Sequence, residues 1–218
     1  MAAAHDGQGM GDHMTQIRRF EAGDMAALYE ICLKTALAGA DASAFYKDGR
    51  MPGHVYAAPY LALPEGSGFV AEDDAGVAGY IVGATDTRQW EAALERDWWP
   101  KLRLIYANPA GTAPEERNRD EKIAGHIHHP NPAPSQLVNR APAHLHMNLL
   151  PRLRRQGWGA KLLETWLAAA TSGDVKHVHL GASRSNAAGV AFWKSQSFEE
   201  QNVGGRADDE TIWMARAV

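Results

Sequence analysis

Apolar residues in this chain follow two spacings, one of period two and one near 3.6, and the chain switches between them repeatedly. Thr15–Phe20 (TQIRRF) reads as a short strand. Met25 to Gly39 takes helical spacing, with Asp24 as the expected N-cap and Gly39 as the expected stop. His54–Leu63 is a second apolar helical stretch, closed by Pro64. Gly68–Glu72 and Gly76–Thr85 flank Asp73-Asp74-Ala75, the pattern of a β-hairpin. Thr87–Ile105 predicts a helix carrying Trp90, Trp98 and Trp99, kinked or broken at Pro100. Periodicity is lost over residues 107–143, which hold six of the chain's 11 prolines. A short helix near Glu115–Ala124 is expected inside this long insertion, and loops of that length usually have a function or are disordered. The C-terminal third predicts a strand over His144–Leu150, a helix over Gly157–Thr171 and a strand over His177–Gly181. A helix over Ala187–Gln196 follows, then a closing strand pair, Phe198–Val203 with Thr211–Ala215. Strands alternating with helices predict an α/β domain with a mixed sheet.

Composition narrows the picture. The 218 residues are 45% hydrophobic and 22% charged, enough for one domain with a full core. Residues 1–13 are small, polar and Gly-rich, without an apolar stretch or a basic start. They read as a leader outside the fold, with a start at Met14 and a single domain over 14–218. The net charge of −4 argues against a protein that lives on nucleic-acid phosphates. The single cysteine, Cys32, excludes an intrachain disulfide and a cysteine-built zinc site, and reads as a buried small hydrophobe. No apolar run approaches the ~18–20 residues of a membrane span, so the expectation is a cytoplasmic protein.

The chemistry concentrates in residues 143–170, where a strand meets a basic, Gly-containing loop and then a long amphipathic helix. The loop reads Arg154-Arg155-Gln156-Gly157-Trp158-Gly159. A helix N-terminus offers unpaired N–H groups and about half a positive charge to an anion. Gly157 and Gly159 let a phosphate approach the backbone, and Arg154 and Arg155 add forked donors. A Walker A loop and the three-glycine dinucleotide fingerprint are both absent. Strand alternation puts His144, His146 and Asn148 on one face. His126, His128 and His129 fall in the insertion, where solvated loop histidines are expected and no metal site. The tryptophans at helical spacing read as core, Asp86 as a helix cap, and Glu115–Lys122 as a solvated face.

The spacing R-x-x-G-x-G at Arg154–Gly159, in its strand–loop–helix setting, resembles the pyrophosphate loop of the GCN5-related N-acetyltransferases (GNAT). A second block, Asn186 to Phe198, resembles that family's N-x-x-A-x-x-L-Y-x-x-x-G-F helix and strand. The resemblance implies a GNAT fold: a mixed central sheet of about six or seven strands, helices on both faces, and a long insertion before strand four. It implies acetyl-CoA as co-substrate, its pyrophosphate on the N–H groups of Gln156, Gly157, Trp158, Gly159 and Ala160. It further implies that Asn186, Phe192 and Trp193 line the pantetheine arm between splayed strands four and five, with the thioester on backbone groups of Leu149 and Leu150. Trp193 stands where the family commonly has the tyrosine that protonates the leaving thiolate, and an indole cannot fill that role near neutral pH. His144-Leu145-His146 resembles the paired-histidine strand of arylalkylamine N-acetyltransferases, which implies that His146 or His144, titrating near neutrality, helps to deprotonate the amine. From Gly68 to Phe198 the chain also resembles the acetyltransferase-like C-terminal domain of O-GlcNAcase, a pseudo-acetyltransferase that lacks the acetyl-CoA loop retained here.

These readings lead to an enzyme that moves an acetyl group to a small-molecule or peptidyl amine, as a monomer or homodimer. An acyl-CoA sensor or pseudo-acetyltransferase is the alternative that Trp193 keeps open. A structural interaction domain with an empty cleft is the third possibility.

Overall fold

A computed structural model describes residues 15–204 and 210–218; the expected leader and the start at Met14 lie outside the described residues. The first strand, β1 (Gln16–Arg19), leads through a single 3₁₀ turn into α1 (Met25–Leu33). Asp24 does not cap α1. Its carboxylate accepts from the Glu21 N–H at 2.7 Å and from the Arg18 guanidinium at 2.8 Å, tying the strand to the helix. The helix stops well before Gly39. Ala38 and Gly39 adopt consecutive left-handed conformations (φ 49° and 89°), and Leu37 and Ala40 close the turn with a reciprocal pair of backbone bonds.

The expected helix over His54–Leu63 is two helices, α2 (Met51–Tyr56) and α3 (Ala58–Ala62). Pro59 forces the break: it has no N–H, and its ring would meet the carbonyl one turn back, so it is accommodated in the first turn of a new helix. The hairpin forms as expected, β2 (Ser67–Asp73) with β3 (Gly76–Ala84), the turn fastened by an Ala75 N–H to the Asp73 carboxylate and by Gly76 at φ 94°. Asp86 caps α4 (Thr87–Ala93), accepting from the N–H groups of Arg88 and Gln89. A π-helical stretch, Leu94–Trp98, then widens the ladder before α5 (Trp99–Arg103), whose first turn holds Pro100. Trp90 and Trp99 are buried in the core, as the spacing predicted.

In the insertion the helix lies later than expected. It is α6 (Arg119–His128), started by a capping box in which Asn118 and Glu121 exchange side-chain bonds to each other's N–H. His126 and His128 are therefore helical, not loop residues. His128 donates to the Tyr106 carbonyl at 2.7 Å, and among the described residues no group of side chains suits a metal. The short α7 (Ser135–Val138) brings the chain back to the sheet, where the Thr87 N–H meets the Pro142 carbonyl. There follow β4 (Ala143–Leu149), α8 (Trp158–Thr171), β5 (His177–Ser183), α9 (Ala187–Ser195), β6 (Glu199–Glu200) and β7 (Thr211–Ala217).

Among the described residues seven strands form one sheet in the order β1-β2-β3-β4-β5-β7-β6. Strand β6 is only two residues long, and β7 slots between it and β5. The central strands β2 and β3 are buried on both faces, so their sequences read as apolar runs rather than alternations. Helices α1 and α3 cover one face of this part of the sheet and α8 the other, where the Trp166 indole lies over Gly83. No helix among the described residues is long and apolar enough to cross a membrane.

Arg18 also bonds Glu72 at 2.7 Å, so one guanidinium serves two carboxylates and holds both below their usual range. Asp24 is buried, and removing Arg18 strands its charge. Arg18→Gln is expected to cost about 2–3 kcal/mol at pH 7 by urea unfolding. The depressed carboxylates contribute above their unfolded pKa and lose that contribution as pH falls through the folded values. The gap between variant and wild type should therefore shrink below about pH 4.

Candidate active site

Strand β4 pairs with β3 throughout, from Ala84↔His144 to Gly79↔Leu149. Its other edge meets β5 only at Ala143↔Val178 and His144↔His179. Beyond His144 the parallel strands part, and the sheet opens into a V. The Leu150 N–H donates to the Ala78 carbonyl at 2.7 Å, and the Leu150 carbonyl accepts from Leu153. This corrects the expectation that Leu150 offers backbone groups to a ligand. Alternation puts the N–H of Leu149 on the opposite edge, the one that β5 has left.

At the mouth of the V the chain turns through Pro151–Leu153 and enters α8 with two left-handed residues, Arg155 (φ 60°) and Gly157 (φ 82°). Left-handed residues in such a turn let successive amides converge on one side. Among the described residues, no hydrogen bond is made by the N–H groups of Gln156, Gly157, Trp158, Gly159 or Ala160. The first protein-bonded amide is that of Lys161, to the Gly157 carbonyl. Gly157 is needed for its φ, and a Cβ there would meet only open space. Gly159 has a different role from the one expected. A Cβ there would lie 3.1 Å from two ring atoms of Phe192, so its small size lets α9 pack against α8 rather than letting a phosphate approach. Gly159→Ala should cost about 1 kcal/mol in urea unfolding, and adding Phe192→Leu should restore it.

The two arginines separate. Arg155 is exposed beside the amides. Arg154 turns inward, its Nε donating to the Leu149 carbonyl at 2.8 Å and an Nη to the Gly39 carbonyl at 2.7 Å. It straps the α1–α2 loop to the end of β4 rather than reaching toward a ligand, and burial lowers its pKa. A groove of about 610 Å³ lies here, lined by Lys34, Gly39, Asp41, Leu150 and Arg154 among others. Gln156 folds back, its side-chain amide on the Arg152 carbonyl, and Arg152 is anchored in turn on Asp73 at 2.7 Å.

His144, His146 and Asn148 share one face of β4, as alternation predicted, under α2, α3 and α4. Thr87 gives its hydroxyl hydrogen to the Pro142 carbonyl at 2.7 Å, so it accepts from His144 Nδ1 at 2.8 Å. His144 Nε2 then accepts from the Tyr60 hydroxyl at 2.9 Å, and Tyr60 stacks on Trp90 with ring centroids 4.2 Å apart. Both nitrogens of His144 are occupied, which removes it as a base. His146 lies between the rings of Tyr56 and Tyr80, at 5.8 and 6.1 Å. Tyr56 is 44% exposed, so this face of β4 is reached from solvent on the Tyr56 side. Burial pushes His146 down to about 4 and His144 to about 3, the latter helped by its histidine neighbours. Neither titrates near neutrality, contrary to expectation; both rings are neutral at pH 7.

Across the V, Asn186 caps α9, its Oδ1 accepting from the Gly189 N–H at 2.9 Å. Gly39 sits between Asn186 and Arg154, each about 3.9 Å from its Cβ position. Phe192 is half-buried against Gly159. Trp193 is 8% exposed, edge-on to Phe192 and Phe198, and belongs to the core. Sequence reasoning missed Tyr56, Tyr60, Tyr80 and the Ala38-Gly39 turn, all brought in from distant parts of the chain; only Gly39, read as a helix stop, left a local signal.

The sequence matches no known family profile. Solved structures do match. SsHAT is 32% identical, with a TM-score of 0.83 over 93% of this chain and 98% of that one. The PaiA N-acetyltransferase of Thermoplasma acidophilum, solved in complex with coenzyme A, is 12% identical, with a TM-score of 0.57 over 94% and 99% of the two chains. A GCN5-related N-acetyltransferase from Kribbella flavida is 15% identical, with a TM-score of 0.52 over 94% and 98%. The split mixed sheet and these neighbours define an acyltransferase fold of the N-acetyltransferase class. The chain belongs to the GCN5-related N-acetyltransferases, a family that uses acetyl-CoA or another acyl-CoA.

Proposed function

We propose that this protein takes acetyl-CoA as co-substrate and transfers the acetyl group to an amine of a small molecule or peptide. The observation that carries this reading is the run of unbonded amides from Gln156 to Ala160, set at a helix N-terminus beside the opening between β4 and β5. A diphosphate fits that cradle, with Arg155 exposed alongside. The Leu149 N–H faces the gap and serves as the donor to a developing oxyanion, a contact worth about 2.7–4 kcal/mol in such sites. Asn186 and Phe192 form the opposite wall of the arm's path. Acetyl-CoA supplies an activated acyl carbon: a C–N bond forms to the amine nitrogen, the C–S bond breaks, and the nitrogen's proton is given up as the thiol leaves. His146 and Asn148 line the acceptor side.

Trp193 favours a second reading, an acyl-CoA sensor with little transfer. It occupies the family's thiolate-protonating position, is buried, and carries no proton that titrates near pH 7. Two measurements test the pair. Acetyl-CoA at about 100 times its Kd should stabilise the protein by about 2.7 kcal/mol. An unchanged melting temperature would reject both readings. Thiol release across a panel of amines should then exceed the rate without amine; stabilisation without release would leave only the sensor.

A further inference from the structure

On the acceptor side a chain of polar side chains runs Tyr80, Asn148, His146. Tyr80 is fully buried, as is Cys32 on α1. Asn148 stands opposite Tyr80 in the β3–β4 register, and its Nδ2 donates to the Tyr80 hydroxyl at 2.8 Å. The same nitrogen lies 3.0 Å from His146 Nε2. An amide nitrogen has two hydrogens and no lone pair to accept with, so Nε2 must be the acceptor. A neutral imidazole carries one ring hydrogen, and with Nε2 bare that hydrogen is on Nδ1.

Resting on the acetyltransferase reading, we propose that Tyr80, acting through Asn148, is a positioning residue that fixes His146 as its Nδ1–H tautomer. The strand then presents a hydrogen-bond donor, not a base, to the acceptor side of the cleft. Turning the amide round would place its oxygen between Tyr80 and His146 and strip both amide hydrogens of protein partners. Leaving a carbonyl oxygen short of a partner costs less than orphaning N–H groups. Burial works in the same direction by holding the ring neutral. His144 shows the same arrangement one pleat away, with Nδ1–H on Thr87 and Nε2 accepting from Tyr60. In each case a phenol-linked donor occupies Nε2.

The test reads tautomers directly, without an acceptor substrate. Long-range ¹⁵N–¹H correlation on the ¹⁵N-labelled protein at pH 7 separates pyrrole-type from pyridine-type ring nitrogens, and His146 is the ring lost in His146→Gln. The expected result is a pyrrole-type Nδ1 and a pyridine-type Nε2. Asn148→Asp offers only acceptors, so the pattern should invert; Tyr80→Phe frees the amide and should give a mixture of both tautomers. A pyridine-type Nδ1 or a cationic ring in the wild type overturns the proposal. So does an unchanged His146 signature in folded Tyr80→Phe; should that variant not fold, Asn148→Asp carries the decision alone, and an unchanged signature there overturns it. Stabilisation by acetyl-CoA is read separately, so the functional reading can fail while the tautomer assignment stands, or the reverse.

Discussion

Unfolding at pH 5 is expected to take up at least three protons, so that stability falls by at least about 4 kcal/mol for each pH unit below the histidine range. Three buried imidazoles are responsible. Burial pushes His54 and His146 to about 4 and His144 to about 3, each well below the 6.5 of an unperturbed ring. Between those values and 6.5 the native rings are neutral while the unfolded rings are protonated. The unfolded chain therefore binds more protons, and stability rises with pH. The contribution is complete above about pH 6.5 and is lost as pH falls through the folded values. His126 and His179, shifted the same way by burial, steepen the slope. Urea midpoints from pH 7.5 down to 5 would measure it. A flat profile would mean that these rings are hydrated in the native protein.

Gly157→Val is expected to weaken coenzyme A binding at least a hundredfold while leaving a folded protein. A residue with a Cβ pays about 1–2 kcal/mol at φ 82°, and a β-branched one pays more. The turn relieves that strain by abandoning the left-handed conformation, which swings the amides on either side of Gly157 out of the cradle. Each hydrogen bond to a charged group is worth about 1.5–3 kcal/mol, and losing one or two of them amounts to roughly 3 kcal/mol, about two decades in Kd. Gly157→Ala, whose Cβ meets open space, should lose closer to tenfold. Calorimetric titration with coenzyme A distinguishes the outcomes. Equal affinity in Gly157→Val would place the diphosphate elsewhere.

What could be read in the chain was local. The hairpin was legible because Asp73-Asp74-Ala75 and Gly76 write their own turn, and the histidine face because a strand has period two. The run of unbonded amides from Gln156 to Ala160 was legible because it is made by neighbours in sequence. Roles that depend on distant partners were not. Arg154 looked like a phosphate ligand, but its partner is the Gly39 carbonyl 115 residues away. His144 looked like a base, but Tyr60, 84 residues back, occupies its free nitrogen. Gly159 looked like room for a phosphate until α9 folded over it. The start of α6 was written in the capping box of Asn118 and Glu121, just inside the expected start at Glu115. The end of α1 had no such signal: helical spacing runs on to Gly39, and the turn at Ala38 overrides it.

The V in the sheet also divides β4 against itself. Along its closed edge the amides of His146 and Asn148 are locked to β3, while on its open edge those of Met147 and Leu149 have no strand beside them. Neighbouring residues of one strand thus belong to two dynamic populations. In deuterated water the odd-numbered amides would trade their hydrogens quickly and the even-numbered ones slowly. A molecule lodged in the gap would erase that alternation, so the strand is its own gauge of occupancy.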